Sequence, residues 1–126
     1  MKLSNKQKQK IKEIAEKYQL SLVLLFGSRA TKRFNKESDF DIAYLCQKDL
    51  DFDQKNYLNY EFTNIFQNDR VDTVDIKKAP PLLLFAVFKR CQILFKENDL
   101  VFPTYRAYAF KKYVEAKPLL EKSLKD

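Results

Sequence analysis

Histidine is absent from this 126-residue chain and glycine occurs once. Without histidine there can be no Ser-His-Asp triad, no Cys-His dyad and no His-containing zinc site. The two cysteines, Cys46 and Cys91, lie far apart and form no CxxC pair, which argues against a disulfide framework or a thiolate metal cluster and favours reduced thiols. No apolar run approaches the roughly 18–20 residues needed to span a bilayer. The basic N-terminus lacks the continuous apolar stretch of a secretory signal. A cytoplasmic protein without a membrane partner is the expectation. A globular chain averages about 7% glycine, or roughly nine in this length. The single one, Gly27, is therefore expected to be kept for a backbone reason.

What is present suffices for a core. Hydrophobic residues make up 45% of the chain, with 11 Phe and 7 Tyr, so wholesale disorder is excluded. A chain of 15.0 kDa has the size of one domain, spanning residues 1–126, and one compact pair of layers is expected. The formal charge of +7 favours polyanionic company: a nucleotide, an acidic protein or nucleic acid. Lysines are spread along the whole chain and the aromatics fall mostly at core spacing. Direct nucleic-acid binding is accordingly the weakest of the three.

The first segment reads as a helix, with Ser4 and Gln7 spaced as a capping box and Ile11, Ile14, Ala15 and Tyr18 at helical intervals. Leu20 to Phe26 is a near-continuous apolar run, suited to a strand buried on both faces. It ends at Gly27-Ser28, with Arg29 to Phe34 as a short helix or turn. Asp39 to Cys46 reads as a second strand, with Asp39, Asp41, Ala43 and Leu45 on one side. A helix is expected over 53–67, a turn at Asn68 to Arg70, and a β-branched strand from Val71 to Ile76. Pro81 is placed to begin a helix over 82–90, Gln92 to Phe95 to add an edge strand, and Thr104 to Ala116 to form a last helix. Pro118 is expected to break or kink that helix. The fold class is α/β (α+β): a mixed β-sheet flanked by helices, with its core at about 20–95 and a C-terminal helix at about 104–116.

The chemistry gathers after the first strand. A Gly-Ser turn at the C-terminal end of a buried strand is where open α/β sheets bind ligands, although a plain strand-to-helix turn would look the same. Gly27 can let the backbone approach an anion, Ser28 can offer a hydroxyl, and Arg29, Lys32 and Arg33 add positive charge. Asp39 and Asp41 stand two apart on a strand, so their Cα atoms are about 6.5–7 Å apart on one side. Two such carboxylates raise each other's pKa unless a cation neutralises them. Mg²⁺ is commonly held by one or two carboxylates plus substrate phosphates. The alternative is a strand cap and a solvated aspartate, but the pair interrupts a side otherwise occupied by Ala43 and Leu45. Asp72 shares its side with Val74 and Ile76, which makes it the better third ligand. Asp75 reads as an outward or strand-end residue.

Gly27-Ser28, ten residues, then Asp39-x-Asp41, with Asp72 on a later strand, resembles the nucleotidyltransferase superfamily that includes DNA polymerase β. The short length, the stretch Arg70 to Leu84, Ile93-Leu94-Phe95 and the Tyr-rich last helix are similar to the minimal nucleotidyltransferases, in particular the MntA-type antitoxins paired with HEPN-domain toxins. The resemblance runs from about Leu20 to Tyr113. It implies a nucleotidyltransferase fold and transfer of AMP from ATP to a tyrosine of a HEPN RNase toxin, with pyrophosphate leaving. It further implies a two-ion Mg²⁺ site held by Asp39, Asp41 and Asp72. Asp72 would serve as general base, Gly27 and Ser28 would grip phosphates, and Arg29 or Arg33 would offset their charge. A hetero-oligomer with the toxin follows. Two family glycines are replaced, by Lys32 after the Gly-Ser turn and by Cys91 before the last short strand. Neither supplies a metal ligand, but together they motivate the alternative of a non-catalytic antitoxin, a binding module that inhibits its partner by contact.

Overall fold

The structure, a computed structural model, describes residues 1–30 and 40–125. Helix α1 (Asn5–Lys17) opens on the capping box read from the sequence. The Gln7 amide donates to Ser4 Oγ at 3.1 Å, and the Ser4 amide donates to Gln7 Oε1 at 2.9 Å. Strand β1 (Leu20–Phe26) follows and is buried along its whole length. A one-turn 3₁₀ segment, Gly27–Ala30, leaves it. Then come β2 (Phe40–Cys46), α2 (Phe52–Phe66), β3 (Val71–Asp75), a 3₁₀ turn at Ile76–Lys78, α3 (Pro81–Lys89), β4 (Cys91–Lys96) and α4 (Val101–Lys125). Pro81 occupies the first turn of α3 as expected. A second capping box, Asp51 with Gln54, starts α2.

The sheet order is β3-β2-β1-β4. Strands β2 and β3 are parallel, and β1 is antiparallel to both β2 and β4, so the sheet is mixed and β4 is an edge. Helices cover both faces. On one, Val23, Leu25, Ile42 and Tyr44 pack against Ile11 and Ile14 of α1 and Leu58 and Phe62 of α2. On the other, Leu22, Leu24, Ala43 and Leu45 pack against Leu84, Val87 and Phe88 of α3 and Val101 and Ala109 of α4. The arrangement is three layers, not the expected single pair. A central strand that is apolar on every side chain needs cover above and below.

Helix α4 also departs from expectation. It runs through Pro118 to Lys125 without ending. An interior proline costs a helix about 3 kcal/mol or more when a buried bond is lost, but here the flanking positions are strong helix formers. Pairs Lys111–Glu115, Lys112–Glu115 and Lys117–Glu121 bracket the proline at 3.6–3.9 Å, each adding a few tenths of a kcal/mol.

Candidate active site at the end of strand β1

Gly27 leaves β1 with φ of +74°. Left-handed backbone alone does not explain why a glycine stands there, because Gln19 and Gln67 adopt φ of 54° and 51° elsewhere in the chain. Space does explain it. A Cβ on Gly27 would run into Asp41 Oδ2 and lie 3.3 Å from Asp41 Cγ. The lone glycine therefore lets the carboxylate of Asp41 lie directly against the turn.

Strand register then brings in the other candidates. Phe26 pairs with Asp41, Asp41 with Asp72, and Phe26 with Cys91. Asp72, Asp41, Phe26 and Cys91 thus form one row across all four strands. Neighbouring strands are about 4.8 Å apart, so Asp41 and Asp72 stand side by side and Cys91 lies about 10 Å from Asp41, two strands away. Phe26, Ala43 and Leu45 belong to the core under α3 and α4, and alternation puts Asp41 on that same side. Asp41 is half-buried and Asp72 exposed. Two adjacent carboxylates at the rim of an apolar layer repel each other and favour a bound cation.

Among the described residues no group of three metal-ligating side chains occurs. Asp39 and Arg33 lie outside the described residues. Ser28 and Arg29 belong by backbone to the turn after Gly27, while their side chains lie outside what is described. The donor set nevertheless suits magnesium, since the Gly27 cradle admits Asp41 and register adds Asp72, two hard oxygen donors next to a turn.

Asp75 differs from its sequence reading in one respect. It does end β3, but its side chain is only 6% exposed and points to the α2 layer, where Oδ2 pairs with Lys55 Nζ at 3.4 Å. Its Oδ1 accepts the Lys77 amide at 3.1 Å. Burial, followed by the Asp75 charge, pushes the neighbouring Tyr44 phenol well above its ordinary range. Asp75 is thus a structural carboxylate on the opposite face from Asp72.

Two cations near the row escaped the sequence reading. Arg70 was assigned to a turn. Its carbonyl accepts the Phe40 amide at 2.8 Å and its amide donates to Asn68 Oδ1 at 2.8 Å, which ties the starts of β2 and β3 together. The signal was available, because Arg70 precedes Asp72 by two positions and so shares its side. Arg106 of α4 lies over the Phe110 ring at 4.6 Å. Burial pushes the Cys91 thiol up, and the Arg106 charge opposes that shift. No local pattern marks Arg106, which reaches the row only through packing of α4.

No helix among the described residues is long and apolar enough to cross a membrane. Nothing among curated proteins matches the chain. Solved structures do. A chain of a toxin–antitoxin pair crystallised with AMP-PNP superposes with a TM-score of 0.76 at 22% identity, covering 93% of this chain and 98% of that one. A chain from the Shewanella oneidensis complex of a tri-AMPylated HEPN toxin with its MNT antitoxin gives 0.71 at 21% identity, covering 94% and 96%. One from the MntA-HepT toxin–antitoxin gives 0.72 at 21% identity, covering 96% and 99%. Likeness at these identities speaks to the fold: a mixed four-stranded sheet with four helices. Residues 9–100 match the family model described as Polymerase beta, Nucleotidyltransferase. That match takes in β1, the Gly27 turn, Asp41 and Asp72 and all four strands, and the chain belongs to the polymerase β nucleotidyltransferase family.

Proposed function

We propose that this protein is a Mg²⁺-dependent adenylyltransferase and an antitoxin, transferring AMP from ATP to a tyrosine of a partner HEPN RNase toxin in the cytoplasm. The observation that carries the reading is the carboxylate of Asp41 lying against Gly27 with Asp72 beside it in register. In this reading residues 1–126 act as one catalytic unit and the acceptor is presented by the partner protein. The matched toxin–antitoxin structures, one with an AMP-PNP ligand and one with an AMPylated toxin, support both nucleotide and partner.

In this reading Asp39, Asp41 and Asp72 hold the magnesium, which when bound neutralises the triphosphate and lowers the barrier to displacement at phosphorus. Gly27 and Ser28 receive the terminal phosphates, with Arg29 or Arg33 offsetting their charge. Asp72 accepts the phenolic proton as the tyrosine oxygen bonds to the α-phosphorus and the bond to pyrophosphate breaks, a role that requires no histidine. The product carries a phosphodiester charge on the toxin, which repels RNA.

The test is to incubate the protein with MgATP and the HEPN-domain protein encoded beside it. Mass spectrometry should show AMP-sized additions with wild type and none with Asp41→Asn. Equal absence from both would overturn the proposal. Cys91, a side chain where the family pattern has glycine and a member of the row, favours a second reading, inhibition by contact alone. That reading requires Asp41→Asn and Asp72→Asn to neutralise the toxin as well as wild type.

A further inference from the structure

Helices α1 and α2 cover the same face of the sheet but present different surfaces. Of the nine exposed positions of α1, five are lysine and none is aromatic. Of the seven exposed positions of α2, three are aromatic, one is aspartate and none is basic. Phe52 is 77% exposed, Tyr57 67% and Tyr60 60%. The one lysine of α2, Lys55, turns inward to Asp75 at 3.4 Å, and Glu61 pairs with Lys17 of α1 at 3.1 Å. In a chain of net charge +7, an aromatic helix face without an exposed lysine calls for a reason.

At 3.6 residues per turn, Phe52, Asp53, Asn56, Tyr57 and Tyr60 fall within one sector of about 140°. A single surface aromatic needs no explanation, but three gathered on one helix face form a patch. Asp53, Asn56, Tyr57 and Tyr60 also line an open hollow of about 310 Å³. Tyrosine-rich, lysine-poor surface is what proteins place at the centre of an interface. Its chemistry here suits a cation. The faces of phenol rings attract a guanidinium, and the Asp53 carboxylate supplies the counter-charge.

We propose that this face of α2 docks a basic, arginine-bearing segment of the partner protein, with a guanidinium received in the hollow of Asp53, Tyr57 and Tyr60. This rests on the partner reading given above and adds the surface that holds it. Charge selects the occupant. An RNase holds RNA phosphates with arginine and lysine, and such a basic surface is repelled by most of a chain of charge +7. The outer face of α2 is where it can land. A second copy of the chain would offer α1, whose cations are lysines without an arginine, more strongly hydrated and poorer at stacking on rings. Nucleic acid would find rings but no cation on this face to take its phosphates.

The experiment uses the full chain carrying Tyr57→Ala with Tyr60→Ala, the matching Tyr→Phe pair, and separately Asn56→Lys. Binding to the adjacent HEPN-domain protein is measured by titration calorimetry, and AMP transfer by mass spectrometry. The alanine pair should weaken binding at least about 30-fold. The phenylalanine pair, which keeps both rings, should stay within about threefold of wild type. Asn56→Lys should weaken binding about tenfold, with altered salt dependence. Thermal melting and binding of a fluorescent ATP analogue should stay at wild-type values, because these side chains are exposed and α2 lies on the side of the sheet away from Asp41. Wild-type affinity in both the alanine pair and Asn56→Lys overturns the docking face while leaving AMP transfer standing. Loss of binding in those variants supports it even if wild type transfers no AMP, which would sink only the catalytic reading. Wild type failing to bind the HEPN protein overturns the docking face. So does a wild-type dimer that the alanine pair dissociates, or RNA binding by wild type that the alanine pair abolishes.

Discussion

Asp72 and Asp75 are three positions apart on one strand and consequently lie on opposite faces, with opposite consequences for substitution. Asp72 is exposed beside Asp41, so Asp72→Asn removes a repulsion and should leave unfolding free energy within about 0.5 kcal/mol of wild type while abolishing AMP transfer. Asp75 is 6% exposed and paired with Lys55. Asp75→Ala should cost about 1–3 kcal/mol in urea unfolding, since it leaves the half-buried Lys55 ammonium without its counter-charge. A result with the two reversed would exchange their roles. Gly27 combines both kinds of effect. Gly27→Ala adds a Cβ in the left-handed region, at about 1–2 kcal/mol, and drives it into Asp41. Lower stability together with loss of nucleotide binding is the expected outcome, checked by urea titration and by the fluorescent ATP analogue. That a solitary glycine must matter was legible from composition. Its reason was not, because the Asp41 contact depends on β1–β2 register, a pairing that no local pattern prints.

Elements show the same division between what sequence carries and what packing adds. The strands, the first cap, Pro81 at the head of α3 and the alternation of Asp41 with Ala43 and Leu45 were readable, because each is a property of neighbouring residues. The run of α4 through Pro118 was not, because local rules stop a helix there while flanking residues and ion pairs carry it on. The third layer was implicit in the unbroken apolar run of β1, yet it appears only when both faces are counted. Helix α2 shows how an element positions the site. Asn59 Nδ2 donates to the Val71 carbonyl at 2.9 Å and to Thr73 Oγ1 at 3.3 Å, fixing β3 on both sides of Asp72. Asn59→Ala should cost only about 1 kcal/mol of stability, the worth of one such bond. It should nevertheless lower the AMP-transfer rate by about tenfold to a hundredfold, because small displacements of a reacting group are amplified in rate. Single-turnover kinetics beside a urea titration would separate the two; equal, small effects on both would show that α2 does not position Asp72.

At the scale of the whole molecule, a chain of net charge +7 sets two carboxylates side by side at one end of its sheet. In the proposed function the surrounding positive charge would draw in a triphosphate, and the carboxylates would call for a cation between themselves and that polyanion. Each ligand thus creates the site of the other, so binding of magnesium and nucleotide should be mutually dependent. A ligand at a hundred times its dissociation constant stabilises the folded state by about 2.7 kcal/mol, which for a domain of this size amounts to a rise of about 10 °C in melting temperature. Wild type with MgATP should show that rise by calorimetry. ATP in EDTA, or magnesium without nucleotide, should each give a small fraction of it. Asp41→Asn should lose the rise. A full shift in EDTA would mean that the triphosphate is held by the basic side chains alone, and the paired aspartates would then be left without a metal-binding role.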